Sequence, residues 1–287
     1  MSRADSRIER RFKALAEQRR AGLVTFITAG DPDHETSAAI LRGLAAAGAD
    51  VIELGMPFSD PMADGPTIQA SSQRALKAGQ TLGRTLAMVR GLRSGDMDTP
   101  VVLMGYYNPI YIYGTERFVD EAAEAGVDGL IVVDLPPEED EELRRPAGAA
   151  GIDLIRLCAP TSDEARLALL MESVGGFVYY VSVAGITGTK SAEIRSIAES
   201  VARIRRFTAL PVAVGFGIRS AQQAAEVAKI ADAAVVGSAI VERIVAGLDE
   251  NGTISPETVE SVLQFVSELS SGVRGARTVG EMEPASR

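Results

Sequence analysis

The stretch Asp50-Val51-Ile52-Glu53-Leu54-Gly55-Met56-Pro57-Phe58-Ser59-Asp60-Pro61-Met62-Ala63-Asp64-Gly65-Pro66-Thr67-Ile68-Gln69 decides how the whole chain is read. It begins as a short strand, Val51 to Leu54. Alternation within a strand sends Ile52 and Leu54 to one side and Val51 and Glu53 to the other. Ile52 and Leu54 suit a dry layer beneath helices, so Glu53 is expected to point inward, where the strand gives way to Gly55. A carboxylate there costs free energy unless it is paired, solvated at a cavity mouth or held protonated. Taken alone, Glu53 reads most plainly as a salt-bridged structural acid. The loop that follows is rich in Pro and Gly yet carries Asp60 and Asp64. A helix is expected to open near Pro66, because Pro suits a first helical turn and a nearby Asp favours that helix end. Glu53 on a rigid strand and Asp64 on the loop above it can therefore face one small space.

Outward from this stretch, the phrase that introduces it recurs. Ala47-Gly48-Ala49-Asp50 precedes the Val51 strand, and Ala125-Gly126-Val127-Asp128 precedes an apolar run from Gly129 to Val133. Ala150-Gly151-Ile152-Asp153 precedes Leu154 to Leu157, and a weaker version, Ile230-Ala231-Asp232, precedes Ala233 to Val236. Helix, Gly stop, Asp turn and buried strand form the beat of a repeated βα unit. Further strands are expected over Leu23–Thr28, Val101–Met104, Phe177–Val181 and Pro211–Val214, which brings the count to eight, each followed by a plausible helix. Apolar strands alternating with helices imply a covered parallel sheet, and eight of them favour a single closed (β/α)8 TIM barrel. An open doubly wound sheet is the rival, disfavoured because no G-x-G-x-x-G follows the first strand.

At the N-terminus, Ser6-Arg7-Ile8-Glu9 is a capping-box pattern, and Ile8, Phe12 and Leu15 recur at helical spacing. They predict an extra helix that lids one end of the core, with an Arg-rich face turned to solvent. A final helix is expected after Ser255-Pro256-Glu257, with Val259, Val262, Phe265, Val266 and Leu269 as its apolar side. The barrel domain is then expected to occupy residues 1–270. The Gly-, Ser- and charge-rich residues 271–287 are expected to form a disordered tail.

The 287 residues are 46% hydrophobic, enough to bury a full core. A net charge of −10 argues against nucleic-acid or anionic-membrane binding by bulk electrostatics. The lone Cys158 excludes an intrachain disulfide framework, and one His with one Cys excludes a zinc site of the usual His/Cys type. The uncharged stretches around Thr99–Thr115 and Ser173–Thr189 are broken by Gly, Asn or Pro, and the N-terminus lacks a signal-peptide core. A soluble, cytoplasmic protein is expected.

Barrel enzymes place their sites at the strand ends. Here Gly215-Phe216-Gly217-Ile218 follows the seventh strand, and Gly237-Ser238-Ala239-Ile240 follows the eighth. Gly217 and Gly237 let backbone N–H groups approach a phosphate, and a helix opening at Ser238 adds its positive end and a hydroxyl. An acidic protein can hold phosphate this way without a Lys or Arg cluster. Phe26, Met104, Ile131, Val133, Leu157, Tyr179 and Phe216 lie at or near strand ends and can wall an apolar, aromatic-sized pocket, although each alone suits simple core packing. None of Lys13, Lys77, Lys190 and Lys229 sits in a strand, which disfavours Schiff-base chemistry. Proton transfer on a phosphorylated substrate with a bulky apolar part remains. Three strand-end loops also gather on one rim: Phe58-Ser59-Asp60-Pro61, Tyr106-Tyr107-Asn108-Pro109 and Asp134-Leu135-Pro136-Pro137. They are candidates either for a protein interface or for a crowded active-site mouth.

The run from Ile52 to Gln69 resembles the signature of the tryptophan synthase alpha subunit family. The likeness extends from about Ile8 to Leu269, through Gly185-Ile186-Thr187-Gly188 and the two glycine-bearing strand ends. It implies retro-aldol cleavage of indole-3-glycerol phosphate to indole and glyceraldehyde 3-phosphate. Glu53 would be the general acid–base, and Asp64 would accept the indole N–H. Gly188, Gly217, Gly237 and Ser238 would bind phosphate, while Thr187 would join the pocket by closing over Asp64. The resemblance implies no cofactor in this chain and a beta-subunit partner carrying pyridoxal phosphate, in an α2β2 heterotetramer. That partner would dock on the rim marked by Phe58, Asp60, Pro61, Tyr106, Asn108, Pro109 and Pro136. The alternatives are another phosphate-binding barrel enzyme of aromatic amino-acid biosynthesis, or a catalytically silent regulatory subunit. A metal-dependent epimerase would want several strand-borne ligands, which a single His34 does not supply.

Overall fold

The computed structural model describes residues 6–182, 190–215, 217–249, 254–255 and 257–277, with the backbone alone at 190–193. The strands are β1 (Gly22–Thr28), β2 (Val51–Gly55), β3 (Val101–Gly105), β4 (Gly129–Val132), β5 (Asp153–Leu154), β6 (Arg156–Cys158), β7 (Val178–Val181), β8 (Val212–Gly215) and β9 (Ala233–Val236). The helices of the first half are α1 (Arg7–Glu17), α2 (His34–Leu44), α3 (Pro66–Lys77), α4 (Leu82–Arg93), α5 (Tyr107–Tyr113) and α6 (Thr115–Ala125). Those of the second are α7 (Glu141–Ala149), α8 (Glu164–Met171), α9 (Lys190–Ile204), α10 (Ala221–Ala228), α11 (Ser238–Val245) and α12 (Glu257–Gly275).

The nine named strands pair only in parallel, and β9 returns to β1 with Val24 opposite Val235. The expected fifth strand is split at Ile155. Its first part pairs with β4 and its second with β7, so nine segments trace the eight-stranded course of a (β/α)8 barrel. Alternation sorts the side chains into two cores. Ile52 and Leu54 join the layer between strands and helices, while Val51 faces the barrel interior with Val24, Val102, Ile131, Ile155 and Phe177. Helix α1 plugs the interior from the N-terminal end of the strands with Ile8, Phe12 and Leu15, and the Phe12 ring lies 5.5 Å from that of Phe177.

The recurring Asp before a strand has a defined job. Each backbone N–H of Asp50, Asp128 and Asp232 donates to the carbonyl of a residue in the preceding strand: Leu23, Val101 and Val212. Each carboxylate in turn accepts the N–H of that same residue, at 3.0, 2.8 and 2.8 Å. Arginines neutralise the three acids. Arg20 grips Asp50 through two hydrogen bonds, Arg7 and Arg93 share Asp128, and Arg205 pairs with Asp232. The Arg-rich face of α1 is therefore not simply solvated. It stitches the plug to the lower rim.

The final helix departs from expectation at its end, continuing past Leu269 to Gly275. Ser270, Gly272 and Val273 belong to it because small residues are needed for close packing, not because the helix breaks. The Ser270 hydroxyl donates to the Gly48 carbonyl at 3.1 Å, and a Cβ at Gly272 would lie 2.3 Å from the Ala221 carbonyl oxygen. Val273 is buried. Residues 278–287 lie outside the described residues.

Asp128→Ala would leave Arg93, whose side chain is 8% exposed, without its counter-charge and Val101 without its acceptor. The expected cost is about 3–5 kcal/mol, measured as a shift in urea midpoint. Asp232→Ala, facing an Arg205 that is 45% exposed, should cost well under half as much. Equal losses would show that burial does not grade these clasps.

Candidate active site

The upper ends of β1, β2, β3, β7, β8 and β9 surround a cavity of about 260 Å³. Glu53 forms its floor. It is 1% exposed, and among the described residues neither carboxylate oxygen has a hydrogen-bond partner. The salt-bridged structural reading is thus not met. Burial without compensation pushes its pKa up to about 8, so the group is largely protonated at neutral pH. Burial also raises the Tyr179 hydroxyl well above the ordinary tyrosine value, and a charge on Glu53 adds to that.

Asp64 reaches the same cavity from the loop ahead of α3. The loop is pinned from two sides. Tyr106, at 3% exposure, donates its hydroxyl to Asp64 Oδ2 at 3.1 Å and accepts the Ala63 N–H at 2.9 Å. Gln69 donates its side-chain amide to the Asp64 carbonyl at 2.9 Å, and Gln73 does the same to Ser59 at 3.1 Å. Partial burial raises the Asp64 pKa, opposed by the Tyr106 hydrogen bond. Pro66 occupies the first turn of α3 after a Gly65 N-cap.

Phe26, Met104 and Tyr179 line the cavity walls. Two glycines make room for the rings. A Cβ at Gly55 would lie 2.6 Å from the tip of the Phe26 ring, and one at Gly215 would lie 2.6 Å from the Tyr179 hydroxyl. Val133 lines a small adjoining recess with Phe26, Met104 and Tyr106. Ile131 and Leu157 pack in the barrel interior and line neither space.

Gly217, Gly237 and Ser238 line the same cavity as Glu53 and Asp64. Gly217 adopts φ +58°, a conformation that a residue with a side chain resists, and the space beside it is open. Gly237 caps α11 without any side chain, and helix geometry leaves the N–H groups of Ser238 and Ala239 without intrahelical acceptors. Such a cradle suits an anion. Thr187, Gly188 and Phe216 lie outside the described residues.

Ile68, Val181, Ser182 and Arg219 also line the cavity and are missing from the sequence-based set. Arg219 carried a usable signal, as a cation two residues after a strand-end glycine. The rim residues divide. Tyr106 is buried and serves Asp64, and Phe58 leans on its ring at 5.3 Å between centroids. Pro61 is buried, whereas Asp60, Asn108 and Pro136 are exposed and Pro109 is half-buried. Among the described residues, no group of three or more His, Cys, Asp or Glu is placed to hold a metal ion, and no helix is long and apolar enough to cross a membrane.

Known proteins of one family match this chain over nearly its whole length. The family model for the tryptophan synthase alpha chain matches residues 12–272. A tryptophan synthase alpha chain from Legionella pneumophila subsp. pneumophila is 36% identical, with a TM-score of 0.86 over 97% of this chain and 100% of that one. A structure from Aquifex aeolicus VF5 is 38% identical, with a TM-score of 0.83 over 94% and 99%. A chain of M. tuberculosis tryptophan synthase, in an open form with BRD0059 bound, is 35% identical with a TM-score of 0.83 over the same shares. With matches spanning nearly the whole of both chains, this protein belongs to the tryptophan synthase alpha chain family and is a carbon–carbon lyase that cleaves indole-3-glycerol phosphate.

Proposed function

We propose that Glu53 carries both proton transfers of the cleavage and that Asp64 steadies the indole ring. The observation that carries this reading is an unpartnered, buried Glu53 sharing one cavity with Asp64 and the glycine cradle. Substrate phosphate sits against Gly217, Gly237 and Ser238, while the indole lies among Phe26, Met104 and Tyr179. Protonated Glu53 gives its proton to indole C3, and the ring becomes a cationic indolenine whose N–H donates to Asp64. Glu53, now a carboxylate, takes the proton of the glycerol hydroxyl on the carbon attached to C3. The carbonyl of glyceraldehyde 3-phosphate forms, the C–C bond breaks, and its electron pair returns to the ring as indole leaves. A carboxyl group with a pKa of about 8 suits this order, acid first and base second. Side chains suffice for these steps, and no cofactor is required in this chain.

The same reading gives the chain a beta-subunit partner holding pyridoxal phosphate, assembled as α2β2 in the cytoplasm, where a biosynthetic enzyme of this family would work. The docking rim extends beyond the loops marked in the sequence. Met62, Tyr111 and Ile112 are 85%, 61% and 77% exposed beside Asp60, Asn108 and Pro109, and apolar groups so displayed favour a protein contact.

Glu53→Gln should lower kcat for indole release by about 10² to 10⁴. Near-normal release by the folded variant would overturn the assignment. The same substitution tests the burial cost. An acid whose folded pKa of about 8 lies above its ordinary 4.5 keeps its proton in the folded protein while the unfolded chain loses it. Stability therefore falls as pH rises from 4.5 towards 8, by at most roughly 1.4 kcal/mol per unit. Glu53→Gln removes that slope, so its advantage in denaturant midpoint over the wild type should be small near pH 4.5 and grow up to pH 8. Parallel pH profiles would contradict a buried, unpaired acid. For the partner, adding the cognate beta subunit should yield a heterotetramer by mass and accelerate cleavage. Substituting Ile112 by Asp should weaken that assembly at least tenfold, and unchanged affinity would exclude this rim.

A further inference from the structure

Arg219 is the one cation among the described residues lining the cavity, against the two acids Glu53 and Asp64. Its guanidinium pairs with both oxygens of Glu242 on α11, Nη1 at 2.5 Å and Nη2 at 2.9 Å. Glu242 lies one helical turn beyond Ser238, so Arg219 is tethered to the same helix whose start forms the cradle. The Arg219 backbone N–H donates to the Gln223 side chain at 2.7 Å, which fixes the turn that follows Gly217. The Arg219 side chain nevertheless stays 63% exposed at the cavity mouth.

We propose that Arg219 is a further phosphate-binding residue, held ready beside the glycine cradle by Glu242. The inference rests on the phosphate reading given above. A phosphate monoester carries nearly two negative charges at neutral pH. A helix start offers about half a positive charge in return, and the chain as a whole carries −10. Backbone amides alone would bring that dianion close to Asp64 with no full positive charge nearby. A guanidinium has five N–H donors in a planar fork. Two face Glu242, and the rest can turn to a phosphate oxygen without releasing it. Glu242 also accepts the Thr67 hydroxyl at 3.4 Å, so the same carboxylate ties Arg219 between the cradle helix and the start of α3. Because the side chain is open to water, its contribution falls mainly on capture of the substrate.

The test uses the full chain and inorganic phosphate as the probe, with calorimetric titration of wild type, Arg219→Gln, Arg219→Lys and Glu242→Gln, alongside KM and kcat for indole-3-glycerol phosphate. Arg219→Gln should weaken phosphate binding and raise KM by about tenfold, the low end for a charge-assisted hydrogen bond at an open rim. The effect on kcat should be much smaller, and Arg219→Lys should recover part of the loss. Glu242→Gln, which loosens the tether, should weaken phosphate by a lesser factor. If wild type binds phosphate and Arg219→Gln binds it equally well, the inference falls while the cradle stands. If Arg219→Gln lowers kcat and leaves KM and phosphate affinity alone, Arg219 instead props the site through Glu242, and the inference also falls. If wild type takes no phosphate in competition with substrate, cradle and inference fall together.

Discussion

Register at the lower rim is the constraint from which the rest of this barrel follows. Strand alternation assigns each residue to the interior or to the helix layer, and a slip of one residue exchanges the two sets. The clasps of Asp50, Asp128 and Asp232 guard against that slip by gripping both backbone groups of one residue in the neighbouring strand. Their cost is two buried carboxylates and a half-buried one, offset by arginines from α1, α4 and the turns that follow α1 and α9. With the lower rim held this way, the upper strand ends are free to carry glycines, an unpaired acid and loops of irregular shape.

Glu53 shows what that freedom is used for. Its neighbours in β2, Ile52 and Leu54, are fully buried apolar residues. A hydrophobic residue in its place would pack without penalty. The carboxyl group instead sits in a space walled by Phe26, Met104 and Tyr179, where nothing stabilises its charge. Fold stability and reactivity are opposed at this one position, and the clasps below supply rigidity that the site above does not.

Much of the fold was legible because period-two alternation and the Gly–Asp phrase are short-range signals. The inward course of Glu53 follows from counting along four residues, and the strand count follows from repetition. The break at Ile155 was not legible, since it arises from where β4 and β7 lie rather than from any residue of its own strand. An aromatic in a loop carries no mark of its partner, so sequence places Tyr106 only on the rim, while its hydroxyl contact with Asp64 spans 42 residues of sequence. Arg219 is not singled out by the sequence because glycine amides and a helix start already account for a phosphate site without a cation. The Gly- and Ser-rich composition beyond residue 270 predicts a tail, whereas the small size of Ser270 and Gly272 serves close contact with Gly48 and Ala221.

The pairing of β1 with β9 has a consequence for biosynthesis. Gly22 lies opposite Ala233, so the edge of β1 stays open until almost the entire barrel has left the ribosome. The exposed segment, Gly22-Leu23-Val24-Thr25-Phe26-Ile27-Thr28, is uncharged, rich in β-formers and without proline, the composition that favours strand-to-strand aggregation. In the segment ahead of it stand Arg7, Arg10, Arg11, Arg19 and Arg20. Charges placed beside an apolar strand in this way oppose edge-to-edge pairing between neighbouring chains. Some of the same side chains that fasten the plug in the finished molecule thus flank an apolar strand whose edge is unpaired until the barrel closes.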